Sequence, residues 1–146
     1  MKGFPMRNSR ASLFLMELMI SIMFFAISGA VCIQLFVKAH TINEMTEDKS
    51  KATLIAQDIC EYYHYTDGDK TEMLSYYWDY EESEDSILLH FTENGTICSN
   101  VGAKYIATLT FDQELSYHIL SLEIKNVGEE EALYSTRIKK YVQSTL

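Results

Sequence analysis

The feature that most constrains this chain is an apolar run from Leu13 to Val37 that contains a single charged residue, Glu17. As an α-helix with a rise of about 1.5 Å per residue, the run would measure roughly 37 Å, which exceeds the ~30 Å hydrocarbon core of a bilayer. A carboxylate in such a segment costs about 2.5–3.5 kcal/mol at the middle of a membrane helix, and less near its edge. We therefore expect Glu17 to have a function that compensates for this cost.

Charges on either side of the apolar run predict its orientation. Lys2, Arg7 and Arg10 precede it, whereas residues 38–146 contain 9 Lys and Arg against 20 Asp and Glu. By the positive-inside rule, the basic arm stays cytoplasmic and the acidic C-terminal part is exported. The only basic cluster in that part is Arg137-Ile138-Lys139-Lys140, so the charge argues against a nucleic acid partner.

The helical pattern continues beyond the apolar run as a single apolar stripe, because apolar residues recur there at steps of three, four or seven. The stripe consists of Ala39, Ile42, Met45, Ala52, Ile55, Ile59 and Tyr63. No proline or glycine occurs between Val31 and Thr66 to break a helix. The sequence therefore predicts one long helix from about Ser12 to about Tyr63, whose second half must pack on another element.

After a turn at Thr66–Asp69 the composition changes to short runs rich in aromatic and β-branched residues, which are typical of strands. The predicted strands are Ser75–Tyr80, Ser86–Thr92, Lys104–Phe111, Leu115–Lys125 and Ala132–Val142. Their short connections indicate an antiparallel meander of four or five strands with one apolar face. We expect an α+β fold in which the long helix packs across this sheet, with most aromatic residues between Tyr62 and Tyr80 in the layer between them.

The predicted organisation of the chain has four parts in one continuous object. They are a cytoplasmic basic leader (1–12), a transmembrane half-helix (13–37), an amphipathic extracytoplasmic half-helix (38–65) and an antiparallel sheet domain (66–146). Of the three cysteines, Cys32 falls in the apolar run, where it is expected to pack as a small hydrophobe. Cys60 and Cys98 fall in the exported part, where they either form one disulfide or remain free thiols.

Motifs for catalysis and for metal binding are missing from the sequence. It contains no GxSxG, HExxH, phosphate-binding glycine loop, dinucleotide fingerprint or CxxC. The acidic stretches Asp67–Glu72 and Glu81–Asp85 lack the spacing of an EF-hand loop, so we interpret them as solvated turns. The sequence predicts a protein that is not an enzyme and that needs no cofactor or metal.

The segment Ser12–Ile20, which follows a short basic arm and precedes the predicted helix-plus-sheet domain, resembles the type IV pilins and the pseudopilins of type II secretion and competence systems. In that family an aspartic peptidase at the inner membrane face removes a basic leader before an apolar residue, and a glutamate lies four residues further on. The resemblance implies cleavage between Ser12 and Leu13, with Glu17 as that glutamate. It covers residues 7–37, and it departs from the family in one respect, since the family's leader usually ends in glycine.

The charges at the new N-terminus explain why such a glutamate is useful. The α-amino group of Leu13 in one subunit and the carboxylate of Glu17 in a neighbour are each costly in a low dielectric, and much less so when paired. Pairing would also fix the axial stagger of one helix on the next. The alternative interpretation is that Glu17 extends towards water or is neutralised by Arg10.

Three hypotheses about function follow from these patterns. The first is a structural subunit of a filament, inserted with its N-terminus inside, processed by a prepilin peptidase and assembled with copies or relatives of itself. The second is a secreted binding domain behind a signal peptide cleaved near residues 26–30, although the apolar run is longer than a signal peptide requires. The third is a single-pass membrane protein that acts as a binding or scaffold protein at the cell surface.

Overall fold

The structure, a computed structural model, describes residues 9–114 and 116–141, so most of the predicted leader and Val142 lie outside it. The fold is α+β. Two helices and six strands follow one another in the order α1 (Ser9–Tyr65), α2 (Lys70–Ser75), β1 (Glu81–Glu82), β2 (Ile87–Phe91), β3 (Ile97–Cys98), β4 (Tyr105–Glu114), β5 (Tyr117–Asn126) and β6 (Ala132–Tyr141). The chain divides into two compact units, Met1–Glu44 and Met45–Leu146, and α1 contributes to both.

The predicted long helix is confirmed as α1, a single helix of 57 residues. It runs without a break through exposed hydroxyl residues, whose side chains donate to carbonyls one turn earlier. Ser21 Oγ donates to the Glu17 carbonyl at 2.9 Å, and Thr41 Oγ1 donates to the Val37 carbonyl at 3.2 Å.

The end of α1 depends on a left-handed turn and a cation. Asp67 and Gly68 have φ angles of 52° and 78°, and the Gly68 amide donates to the Tyr63 carbonyl at 3.0 Å, which is typical of a helix C-terminus. A Cβ atom at Gly68 would lie 3.2 Å from the Tyr63 hydroxyl oxygen, so glycine suits the position sterically as well. The Lys140 ammonium donates to the last-turn carbonyl of His64 at 2.6 Å and satisfies one of the free acceptors of the helix.

The sheet is antiparallel throughout, as predicted, but among the described residues it has six strands rather than four or five. Its order is β1-β2-β4-β5-β6, and β3 pairs with β2. The two additional strands, β1 and β3, have two residues each. Strands this short have no alternating pattern, and therefore the sequence did not indicate them.

The prediction of a strand over Ser75–Tyr80 is wrong, because the chain forms helix α2 immediately before and into this segment. Asp69 caps that helix: its Oδ1 accepts from the Thr71 amide at 2.8 Å and from the Glu72 amide at 3.0 Å. The cap satisfies amides that a short helix would otherwise leave free, and α2 buries two residues, Met73 and Leu74, in the core.

The hydrophobic core lies between the second half of α1, helix α2 and one face of the sheet. From α1 it receives Ala52, Ile55, Ala56, Ile59 and Tyr63, and from the sheet it receives Ile87, Leu89, Phe91, Tyr105, Ala107, Leu109, Leu120, Leu122 and Ile124. The predicted alternation of β4 and β5 is therefore confirmed. Of the predicted helical stripe, the members from Ala52 onwards are buried, whereas Ala39, Ile42 and Met45 are exposed.

A polar cluster around Asp48 ties α1 to β4 and β5 beside this core. The Asp48 carboxylate accepts from the Tyr105 hydroxyl at 2.8 Å and from the Asn126 amide at 3.4 Å, and it pairs with the Lys104 ammonium at 2.8 Å. Burial raises the pKa of Asp48, but the hydrogen bonds from Lys104, Tyr105 and Asn126 outweigh burial and hold the pKa below its ordinary value. Because Tyr105 is fully buried, its hydroxyl needs this acceptor.

We expect Asp48→Asn to destabilise the protein by about 1.5–3 kcal/mol at neutral pH, since hydrogen bonds to a charged group are lost. The carboxyl has a lowered pKa in the folded protein, so its contribution is complete above the unfolded pKa of about 3.9 and is lost as the pH falls through the folded value. Thermal unfolding of the full chain in detergent between pH 7 and pH 2 measures this dependence. The exposed Asp58→Asn is the matched control, and a difference between wild type and Asp48→Asn that does not change with pH would contradict the account.

Candidate functional site

The N-terminal part of α1 presents an uninterrupted exposed surface, and this surface is the candidate site. Every residue from Arg10 to Glu47 is exposed, including Phe25 at 82% and Phe36 at 79%. An 18-residue window of this helix has a mean hydropathy of 2.3. α1 is thus long and apolar enough to cross a membrane, and it lies near the N-terminus of the chain.

Glu17 lies on this surface with its carboxylate free of ion pairs to any residue that the structure describes, Arg10 included. Its one recorded hydrogen bond is made by its backbone carbonyl, which accepts from Ser21. Leu13 and Glu17 are four residues apart, so they occupy the same face of the helix about one turn from each other. A helix that began at Leu13 would place the Glu17 carboxylate close to its positive N-terminal end, where negative charge is favourable.

The proposed cleavage position lies inside α1 rather than before it. Because α1 begins at Ser9, Ser12 and Leu13 lie in its opening turns. The first turn has no acidic residue that would stabilise the helix end. Ser12 and Leu13 are therefore helical and exposed in this structure, and cleavage between them requires this part of α1 to unwind.

The same surface contains small residues that the sequence reading did not single out. Ala26, Gly29 and Ala30 recur at the helical spacing of three and four, and a Cβ atom added at Gly29 would meet no other atom within 4 Å. Small residues allow the backbone of a second helix to come close in a membrane. The spacing of these three residues in the sequence is the signal that could have indicated this packing surface.

The prediction that most aromatic residues lie between helix and sheet is wrong. Of the seven residues concerned, only Tyr63 and Tyr77 are buried, and Tyr62 is half-buried. The exposed members are Tyr65, Tyr76, Trp78 and Tyr80. Tyr62 stacks on Tyr76 with ring centroids 4.1 Å apart, so these rings cluster at the surface near α2. The sequence misled here because it suggested a strand over Ser75–Tyr80, where α2 ends at Ser75 and residues 76–80 form neither helix nor strand.

The cysteines and histidines lie on several elements of the fold. Cys60 on α1 and Cys98 in β3 are half-buried free thiols, and burial raises the pKa of each. Their disulfide stays a prediction. Within residues 9–114 and 116–141, no group of three or more His, Cys, Asp or Glu is arranged to hold a metal ion.

No protein-family model, no curated protein and no solved structure matches this chain.

Proposed function

We propose that this protein is a structural subunit of a filament of the type IV pilin or pseudopilin kind, which assembles through the N-terminal half of α1. The observation that carries the proposal is a fully exposed apolar helical surface with one carboxylate, Glu17, in its N-terminal part. The same helix continues into the core of a small α+β unit. A subunit of this construction anchors and assembles through one end of its helix and presents its folded unit outside the membrane.

The exposed apolar surface can be covered either by lipid or by another subunit. The Glu17 carboxylate makes these two environments differ in energy. Contiguous exposed apolar surface of this extent marks an interaction with lipid or with other proteins. In lipid the Glu17 carboxylate remains a cost, whereas beside the α-amino group of Leu13 in another subunit it forms a pair. Insertion in the membrane therefore precedes assembly, and assembly is favoured because it satisfies the charge.

Close contact between helices gives this pairing its geometry. The three small residues Ala26, Gly29 and Ala30 allow a neighbouring helix to approach, and van der Waals packing is the main attraction between helices in lipid. An ion pair between Leu13 and Glu17 would then select one axial stagger among the many that apolar packing permits.

The proposal includes a topology and a set of partners. The basic arm with Lys2, Arg7 and Arg10 stays in the cytoplasm, and the acidic unit is exported. The partners are the cytoplasmic membrane, copies or relatives of this chain, and a prepilin peptidase that cuts between Ser12 and Leu13. We expect no role for the C-terminal unit in catalysis or in binding nucleic acid.

Mass spectrometry of the protein extracted from membranes tests this function through its N-terminus. We expect a mature chain that begins at Leu13, because only a free α-amino group at this position can pair with Glu17. A chain that begins near Gly29 or Val31 would instead indicate a signal peptide. An intact Met1 would indicate a permanently anchored single-pass protein, and either result would contradict the proposal.

A further inference from the structure

The sheet of the C-terminal unit has edges of opposite charge. At one edge lies β1, which belongs to the acidic run Glu81–Asp85, and at the other lies β6, which contains the cluster Arg137–Lys140. We call β1 with the turn that follows it the acidic edge (Glu81, Glu82, Glu84 and Asp85), and the C-terminal half of β6 the basic edge (Arg137, Lys139 and Lys140). About 50 residues separate them in sequence, and the strand order alone puts them at opposite ends of one sheet.

The acidic edge has more carboxylates than its own unit neutralises. Glu82 pairs with the Lys70 ammonium at 3.0 Å, and Glu81 accepts from the Asn100 side-chain amide at 3.2 Å. Glu84 and Asp85 are exposed and form no ion pair with any residue the structure describes. This edge therefore retains negative charge that faces solvent.

The basic edge has the complementary imbalance. Arg137 and Lys139 share one carboxylate, that of Glu114, at 4.0 Å and 3.2 Å, and the Arg137 and Lys139 side chains are both about half exposed. Lys140 is engaged with Asp67 at 2.7 Å. Three cations thus have two carboxylates, and this half of β6 retains positive charge, whereas the exposed Glu129, Glu130 and Glu131 precede its other end.

The basic edge is also an open strand edge. β6 is ten residues long, and among residues 9–114 and 116–141 no strand pairs with it on the side away from β5. The opposite edge is built from the two-residue strands β1 and β3, which offer few free backbone groups. The two edges therefore differ in length as well as in charge, and only the charges are complementary.

We propose that neighbouring copies of this protein meet edge to edge, with the acidic edge of one copy against the basic edge of the next. This inference rests on the proposed function, which supplies the copies, and adds the contact between their exported units. Such a contact is head to tail, and it repeats along an open assembly instead of closing in a symmetric pair. It also permits the membrane helices of all copies to point in the same direction.

The physical purpose of the contact is to direct assembly. Residues 38–146 contain 9 Lys and Arg against 20 Asp and Glu, so randomly oriented copies repel each other. Exposed ion pairs are individually weak, and electrostatic complementarity mainly selects orientation and partner. The edges thus decide which sides of neighbouring subunits face each other, while helix packing supplies most of the attraction.

The test uses the processed protein that begins at Leu13, with donor or acceptor fluorophores at its C-terminus, reconstituted in phosphatidylcholine vesicles, and measures association by energy transfer. We expect Arg137→Glu with Lys139→Glu to weaken self-association about tenfold at low salt, and Glu84→Lys with Asp85→Lys to do the same. We expect a mixture of the two double variants to restore association. The variant changed at Arg137 and Lys139 has two acidic edges, and the variant changed at Glu84 and Asp85 has two basic edges. The differences disappear near 1 M salt, where the Debye length is about 3 Å.

Lys125→Glu, on the inner strand β5, is the control for charge reversal away from the edges, and we expect it to associate like wild type. Restoration in the mixture also shows that both edge variants are folded. If wild type associates while the edge reversals leave association unchanged, the edge contact is wrong and the proposed function stands. If wild type does not associate at all, the proposed function fails together with this inference.

Discussion

Glu17→Ala is expected to leave the protein inserted in the membrane and to reduce its incorporation into a filament by a factor of about 100 or more. Removal of the carboxylate makes insertion easier, because a charged group in a membrane helix costs up to about 3.5 kcal/mol. In the assembly, however, the α-amino group of a neighbour's Leu13 would lose its partner. Breaking a buried ion pair by removing one member costs about 3–5 kcal/mol, which corresponds to roughly two to three and a half orders of magnitude in an equilibrium constant.

Membrane fractionation and quantification of the sheared filament fraction measure the two effects separately. Glu47→Ala is the matched control, because Glu47 is an exposed acid on the same helix outside the apolar run. It should assemble normally. Normal incorporation of Glu17→Ala would contradict the proposed role of the carboxylate, and loss of the protein from the membrane would show that Glu17 acts in insertion instead.

Leu109→Ala is expected to lower the free energy of unfolding of the C-terminal unit by about 2–5 kcal/mol. Leu109 is fully buried in β4, where it pairs in register with Ile87 on β2 and with Leu122 on β5. The substitution removes apolar contacts on both sides and leaves a cavity in a core that helix α1 closes from above. In a domain of this size, such a loss is a large fraction of the total stability.

Chemical denaturation of the full chain in detergent, followed by tyrosine and tryptophan fluorescence, measures the Leu109 effect. Leu54→Ala is the control, since Leu54 is 58% exposed on α1 and its replacement should cost less than about 0.5 kcal/mol. Equal effects at the two positions would mean that the helix does not cover this face of the sheet.

The parts of the fold that the sequence predicts are those with a long, regular hydrophobic period. α1 satisfies the helical spacing over many turns and has no breaker after Gly29, so its existence is evident. In β4 and β5, alternation at Tyr105, Ala107 and Leu109 and at Leu120 and Leu122 predicts the buried face correctly. In each case many residues contribute to one signal, and no single tertiary contact decides the outcome.

Short elements are not predictable in this way, because one local contact decides their structure. Ser75 belongs to a helix because the Asp69 side chain caps two amides, although the aromatic residues that follow suggest a strand. β1 and β3 exist only because β2 is available to pair with them. The exposed position of Trp78 follows from the same local arrangement and could not be read from composition.

The residues of the proposed assembly surfaces also differ in whether the sequence alone can indicate them. Glu17 can be found from sequence because a lone acid in an apolar run is costly whatever the fold. The acidic and basic edges cannot, since Glu84 and Arg137 become opposite ends of one surface only through the strand order. Sequence therefore indicates the residue proposed to drive assembly, and the structure indicates the surfaces proposed to direct it.

The central claim is that Glu17 of one subunit pairs with the α-amino group of Leu13 in another, and zero-length carbodiimide crosslinking of assembled protein tests it most directly. This reagent joins a carboxylate to an amine only when they are in contact. The Lys70–Glu82 pair, 3.0 Å apart within one chain, is the internal positive control. We predict a crosslinked peptide that joins Leu13 and Glu17 from differently isotope-labelled copies; recovery of the Lys70–Glu82 product without it would contradict the account.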